Sequence, residues 1–164
     1  MQGAWRQGFF LHRFPESRAA ASARDALQEI FDALPGGVLL MTAPNAGIEF
    51  ANVAMNQLIW GADHESTRLP VYGQDFQFTH TDGAPLGVSE RPGTRVLHGE
   101  WVWNQQLLLT RADGTASPIA IHATRLRSHA QATGRAIVFV QDVTTLRQAE
   151  QLKDDFLALV SHEL

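Results

Sequence analysis

The sequence predicts an α+β domain: a five-stranded antiparallel sheet with short helices on one face, an amphipathic helix before it and a longer helix after it. Three patterns carry this expectation. The last part of the chain holds three apolar segments, joined by a hairpin turn and a polar loop, with the period of strands. A strand–turn–strand pattern lies upstream, followed by a short helical stripe. Two longer helical stripes flank these segments on either side, so strands and helices segregate as they do in an α+β fold.

Leu27, Ile30, Phe31 and Leu34 recur at i, i+3, i+4 and i+7, the spacing of one helical face. The spacing predicts a flanking helix over 22–35, with Asp25 and Gln28 as a capping box and Pro35-Gly36-Gly37 as its stop. Residues 1–21 carry Trp5, Phe9 and Phe10 without a sustained period and read as an arm able to dock on the domain.

Val38 to Thr42, a turn at Pro44-Asn45-Ala46-Gly47, and Ile48 to Ala51 read as a β-hairpin. Asn52 is placed to cap the next short helix, whose stripe is Ala54, Leu58 and Ile59 and whose stop is Gly61. Residues 62–88 are irregular, with a strand-like Phe76-Gln77-Phe78 and an Asp82-Gly83 turn. Ser89 is read as the cap of a further short helix carrying Val96 and Leu97 and ended by Gly99.

Trp101 to Arg111 reads as a long strand and Asp113-Gly114 as a hairpin turn. Ile119, Ile121 and Ala123 then face one way, while Ala120, His122 and Thr124 face the other. A polar loop from Arg127 to Gly134 leads to Ala136-Ile137-Val138-Phe139-Val140, apolar on both faces and so central. The core is therefore 36–142, and Asp142 caps a final helix over 143–164.

Composition narrows the chemistry. A chain of 164 residues is the size of one domain and buries roughly 70% of its unfolded surface. Hydrophobic residues make up 45% and charged residues 18%, which argues against disorder. There is no cysteine, which excludes disulfides, cysteine-ligated metals and cysteinyl chemistry. The net charge of −4, with no Lys/Arg run, leaves no footprint for nucleic acid. No segment approaches the ~18–20 apolar residues of a membrane span, and a cytoplasmic location is expected. His64, His80, His98, His122 and His129 lack metal-ligand spacing, so no metal is expected. Trp101 and Trp103 alternate on one strand face, as in sheet packing or a dimer patch.

The final helix carries Ala149, Leu152, Phe156, Leu159 and Val160 in a narrow stripe. Beyond the domain's own core, such a seam calls for a second helix, a dimeric coiled coil, or else a return onto the sheet. With Phe156 as origin at ~100° per residue, Leu152, Ala149 and Val160 lie within ~40° and His162 at ~240°, off the seam. A neutral imidazole there can attack a phosphoryl group; the plainer reading is a histidine favouring the helix dipole. Ser161-His162-Glu163 is not a hydrolase triad, because helix neighbours diverge by ~100°. Asp142 and Thr144 serve as a cap and, by the same contact, couple the last strand to the helix.

Asn52-Val53-Ala54-Met55 with Gly61, Leu97-His98-Gly99-Glu100, Asp113-Gly114-Thr115 and Asp142-Val143-Thr144, in this order over about residues 24–145, resemble a PAS domain. Phe156-Leu157-Ala158-Leu159-Val160-Ser161-His162-Glu163-Leu164 resembles the H-box of histidine protein kinases. The resemblance implies a PAS fold and the sensor of a two-component histidine kinase, with His162 as phosphoacceptor, Glu163 as general base, and Asp142 and Thr144 as signal relay. It further implies a homodimer, a response regulator as partner, and ATP with Mg used by a catalytic domain beyond Leu164, without which these residues alone are inactive. A non-enzymatic PAS module serving a cyclase or a transcription regulator would share everything up to Thr144. A ligand-binding protein with no transmitter would instead fold its last helix onto the sheet.

PAS domains often enclose haem, flavin or a small metabolite, and the occupant here is left open. The missing cysteines exclude the cysteinyl-flavin adduct of LOV photoreceptors and the thioester chromophore of photoactive yellow protein. For haem, His98 lies at the end of the helix where haem-binding relatives place their ligand, with no haem motif around it; His80 and His122 are the other candidates.

Overall fold

The computed structural model describes residues 18–64, 68–126 and 134–163, the last without the side chain of Glu163. The expected arm up to residue 17, the loop 127–133 with His129, and Leu164 lie outside the described residues. The elements are α1 (Arg18–Ala33), β1 (Gly37–Thr42), β2 (Gly47–Ala51), α2 (Val53–Trp60), β3 (Phe76–Thr79), a 3-10 turn (Val88–Glu90), α3 (Pro92–Leu97), β4 (Val102–Arg111), β5 (Ala116–Leu126), β6 (Arg135–Asp142) and α4 (Thr144–Glu163).

One antiparallel sheet orders the strands β2-β1-β6-β5-β4-β3. As its two apolar faces require, β6 is central, paired with β1 on one side and β5 on the other. Ala136, Val138 and Val140 are fully buried on its inner face, while Ile137 and Phe139 are half-buried on the outer face. The inner face is closed by α2 and α3 through Met55, Ile59 and Val96, which join Leu39, Ile119, Ile121 and Leu109 in one core.

The sheet has six strands, and the expectation of five is corrected. The additional strand is β3, which pairs along β4 from Phe76↔Arg111 to Thr79↔Leu108 and forms an edge. Its four residues sit in an irregular segment, and pairing with the much longer β4, rather than local propensity, makes them a strand. Phe76 and Phe78 are both 2% exposed and meet at 5.5 Å.

The first helix begins at Arg18 rather than Ser22 and ends at Ala33 rather than Pro35. Asp25 is therefore interior to it, and the expected capping box has no helix end to cap. No residue of α1 is buried; its Phe31 ring lies 5.6 Å from Phe50, which pairs with Leu40 on the outer face. Ser89 caps nothing either: it lies in the 3-10 turn, and α3 starts after Arg91 with Pro92 at its first position, where the missing N–H costs no bond. A Cβ on Gly93 would come within 2.5 Å of Met41 Sδ, so the glycine lets α3 settle against β1.

Asn52, 1% exposed, joins these layers. Its Oδ1 accepts from Met55 N at 2.9 Å, as an N-cap does, and from Val38 N at 2.8 Å. Its Nδ2 donates to Phe31 O at 2.7 Å and Gly36 O at 3.0 Å. Asp32 adds a bond from the end of α1, its Oδ1 accepting from Val53 N at 3.0 Å.

Candidate functional site

Two regions draw together the residues that sequence patterns single out: the junction from β6 into α4, and a cavity beside α3. At the junction, Asp142 Oδ1 accepts both the backbone N–H of Thr144, at 2.8 Å, and its hydroxyl. Asp113 and Thr115 make the same pair of bonds at the β4–β5 turn, at 2.9 and 2.7 Å. Each Asp-x-Thr thus closes on itself, a local geometry that Asp and Thr favour where the chain changes direction. Val143, 6% exposed, donates its N–H to Pro118 O at 3.0 Å, and Arg147 reaches Gln106 on β4 at 2.9 Å.

Past this first turn, α4 stands away from the domain. Leu152, Phe156 and Leu159 are 71%, 64% and 62% exposed, and Leu146 and Leu157 are also open. The stripe does not return onto the sheet. His162 is exposed on the last turn, and Ser161 spends its hydroxyl on Leu157 O at 2.8 Å. Glu163 is helical, but its side chain lies outside the described residues.

The cavity, ≈ 610 Å³, lies between the β1–β2 turn, residues 69–72 and α3. Met41, Ile48, Leu69, Phe78 and Val88 give it apolar walls, and Arg91, Thr94 and His98 stand among them. Tyr72 spends its hydroxyl on β3, accepting from Phe78 N at 3.0 Å and donating to Phe78 O at 3.3 Å. Burial pushes its phenol up, against the opposing pull of the Phe78 N–H bond and the Arg91 charge. The Arg91 guanidinium lies 4.6 Å from the Tyr72 ring centroid, and its Nε is buried without a hydrogen-bond partner. Sequence reading passed over Arg91 because an arginine before a proline carries no pattern of its own.

The histidines are divided by this geometry. His80 pairs with Glu90 at 3.6 Å. His122 lies on the outer face 4.4 Å from Trp103, its Nδ1 accepting from Asn104 N at 3.2 Å. His98 bonds Thr94 O through Nδ1 at 2.8 Å, which directs Nε2 to other partners, but it is exposed at the end of α3. An iron on His98 would therefore sit at the exposed edge of the cavity, open to water, so these residues do not fit a haem. Trp101 and Trp103, expected in sheet packing or a dimer patch, are 72% and 69% exposed and 5.9 Å apart.

Arg68 pins the segment that borders the cavity. It grips Asp75 through two bonds of 3.0 and 2.8 Å and lies 4.7 Å over Trp60, while Asp75 also accepts from Val71 N at 2.7 Å. The Arg68 bond holds the Asp75 carboxyl below its ordinary range, helped by Val71 N–H and opposed by burial. A depressed folded pKa stabilises the fold above the unfolded carboxylate range and loses that contribution as pH falls through the folded value. Asp75→Asn should therefore be less stable than the natural protein in urea at about pH 7, with the gap closing towards about pH 3. A gap independent of pH would mean that the pair contributes no linkage.

No family model matches the chain, and no curated protein matches it. Among solved structures it is similar to an RNA-binding light-oxygen-voltage receptor, 13% identical with a TM-score of 0.45, over 99% of this chain and 43% of that one. It is also similar to the PAS domain of an HTR-like protein from Haloarcula marismortui, 13% identical with a TM-score of 0.45, over 76% of this chain and 94% of that domain. The chain spans less than half the length of the first of these. Among the described residues, no helix is long and apolar enough to cross a membrane.

Proposed function

We propose that this chain is the PAS sensor module of a cytoplasmic two-component histidine kinase, leading through α4 into the dimerising helix that bears the phosphoaccepting histidine. The observation that carries the reading is α4 itself: anchored by one turn at Asp142–Thr144, it presents an uncovered apolar stripe and an exposed His162 off that stripe. The motif order from Asn52 to Thr144 and the H-box match of Phe156–Leu164 supply the family.

In this reading a signal at the cavity or on the sheet alters the end of β6, and the Asp142–Thr144 contact passes the change to α4. The change is a shift between two helix arrangements, driven by differential affinity for the signal. An ATP-bound catalytic domain then reaches His162. The imidazole nitrogen attacks the γ-phosphorus, the bond to the ADP oxygen breaks, and Glu163 takes the ring proton. The phosphoryl group passes on to an aspartate of a response regulator.

The full-length gene product, given ATP labelled at the γ-phosphoryl, should acquire acid-labile, base-stable phosphate, and His162→Gln should abolish it. Asp142→Ala should cost α4 about 0.5–2 kcal/mol of capping and change the response to signal while His162 still accepts phosphate. Label retained in His162→Gln, or no label at all, would remove the kinase reading and favour a PAS module serving another effector.

A further inference from the structure

We infer that the cavity beside α3 is a binding site for a small organic carboxylate with an apolar body, held through Arg91. The inference deepens the sensor reading by naming its ligand class, and it depends on that reading only for the consequence of binding. It rests on three observations about one side chain.

First, Arg91 has no acidic partner among the described residues. Arg95 is paired with Glu100, Arg135 with Glu49 and Arg68 with Asp75. The adjacent Glu90 is engaged elsewhere, by Gly87 N and His80. Second, the guanidinium is partly withdrawn from water, lying over Tyr72 with Nε buried and unbonded. A buried donor without an acceptor is costly, and the Tyr72 hydroxyl does not supply one, being spent on Phe78. Third, among the described residues no Asp or Glu lines the cavity that Arg91 borders. Its size falls within the range of ligand pockets, about 300–1,000 Å³.

The chemistry selects the ligand. A planar guanidinium presents paired N–H donors that match the two oxygens of a carboxylate. The walls of Met41, Ile48, Leu69, Phe78 and Val88 call for an apolar body on the other end. Inorganic phosphate suits the site less well: a compact dianion needs several donors and gains nothing from those walls.

Tyr72 is the single tyrosine of the chain, so ¹³C-tyrosine labelling places one NMR signal beside Arg91. The probes are 3-phenylpropionate, its neutral amide and inorganic phosphate, titrated into the 164-residue chain. The carboxylate should shift the Tyr72 signal saturably and the amide should bind at least roughly tenfold more weakly, the loss of one charge-assisted contact. Arg91→Gln should remove the preference for the carboxylate over the amide. Val88→Trp, which keeps Arg91 but fills the mouth of the cavity, should weaken both probes, and it serves if Arg91→Gln fails to fold. Equal binding of carboxylate and amide, tighter binding of phosphate, or no saturable shift with any probe would overturn the proposal. Carboxylate binding with no label on His162 in the full-length protein would leave this site standing while the kinase reading fell.

Discussion

Asn52→Ala should destabilise the domain by about 3–4 kcal/mol, because a buried side chain that joins three elements is lost. A side-chain amide offers two lone pairs and two N–H donors, and Asn52 uses all four, on Met55 N, Val38 N, Phe31 O and Gly36 O. Truncation strands two backbone donors and two acceptors, each costing about 1–3 kcal/mol where water cannot enter. The bond to Phe31 O is only part-buried, so water recovers some of its share, which keeps the total below the sum. At roughly 2–4 °C per kcal/mol for a chain of this size, the melting temperature should fall by about 10 °C.

Asn52→Asp separates capping from the rest. It keeps an acceptor for Met55 N and Val38 N, but turns a second oxygen towards Phe31 O and Gly36 O. An N-cap alone would tolerate it, since Asp caps as well as Asn; the four-bond arrangement does not. Urea unfolding of the three proteins decides between them. If Asn52→Asp stayed within about 1 kcal/mol of the natural protein, a margin typical of a simple cap, the link from α1 to β1 and α2 would not contribute to stability.

The same residue shows where sequence reading reaches and where it stops. Its cap to Met55 is a bond across three positions, and local spacing reveals it. Its bonds to Phe31 O and Gly36 O join atoms 21 and 16 positions away, and only the assembled layers bring them near. Length made the strands β4, β5 and β6 legible, β5 by its alternation and β6 as an apolar run; β3 showed only as a strand-like Phe76-Gln77-Phe78, because four residues give a pattern little room and its pairing with β4, from Phe76↔Arg111 to Thr79↔Leu108, is not local. The stripe marks the helix α1 but not its start, because Ala19, Ala20, Ala21 and Ala23 continue a helix without marking a face. At the site, Asp142–Thr144 is a contact over two positions and was readable. Arg91 gains its meaning from Tyr72 and from a cavity with no carboxylate among its described residues, neither of which spacing encodes.

Leu152→Glu combined with Phe156→Glu should convert a dimer of this chain into a monomer without lowering the melting temperature of the domain itself. Both side chains lie on the stripe of α4 and are 71% and 64% exposed, so the domain loses no packing when they become charged. A partner helix loses a great deal. Burying one large apolar side chain is worth about 1.5–3 kcal/mol, and a two-fold interface counts each position on both chains. Four such side chains, replaced by four like charges facing one another, should weaken dimerisation by at least roughly a thousandfold. Native mass spectrometry or sedimentation should then find twice the chain mass for the natural protein and a single mass for the variant. Ser161→Glu, off the stripe on the same helix, controls for added charge and should leave the dimer intact. The alternative, α4 folded back on its own sheet, makes the opposite forecast: a monomer from the start, and a domain that melts lower when Phe156 is made charged. Because α4 is held, among the described residues, by its first turn at Val143, Thr144 and Arg147, whatever covers the rest of the stripe also fixes its direction. A second α4 in that place would carry a movement of either Asp142 to both copies of His162.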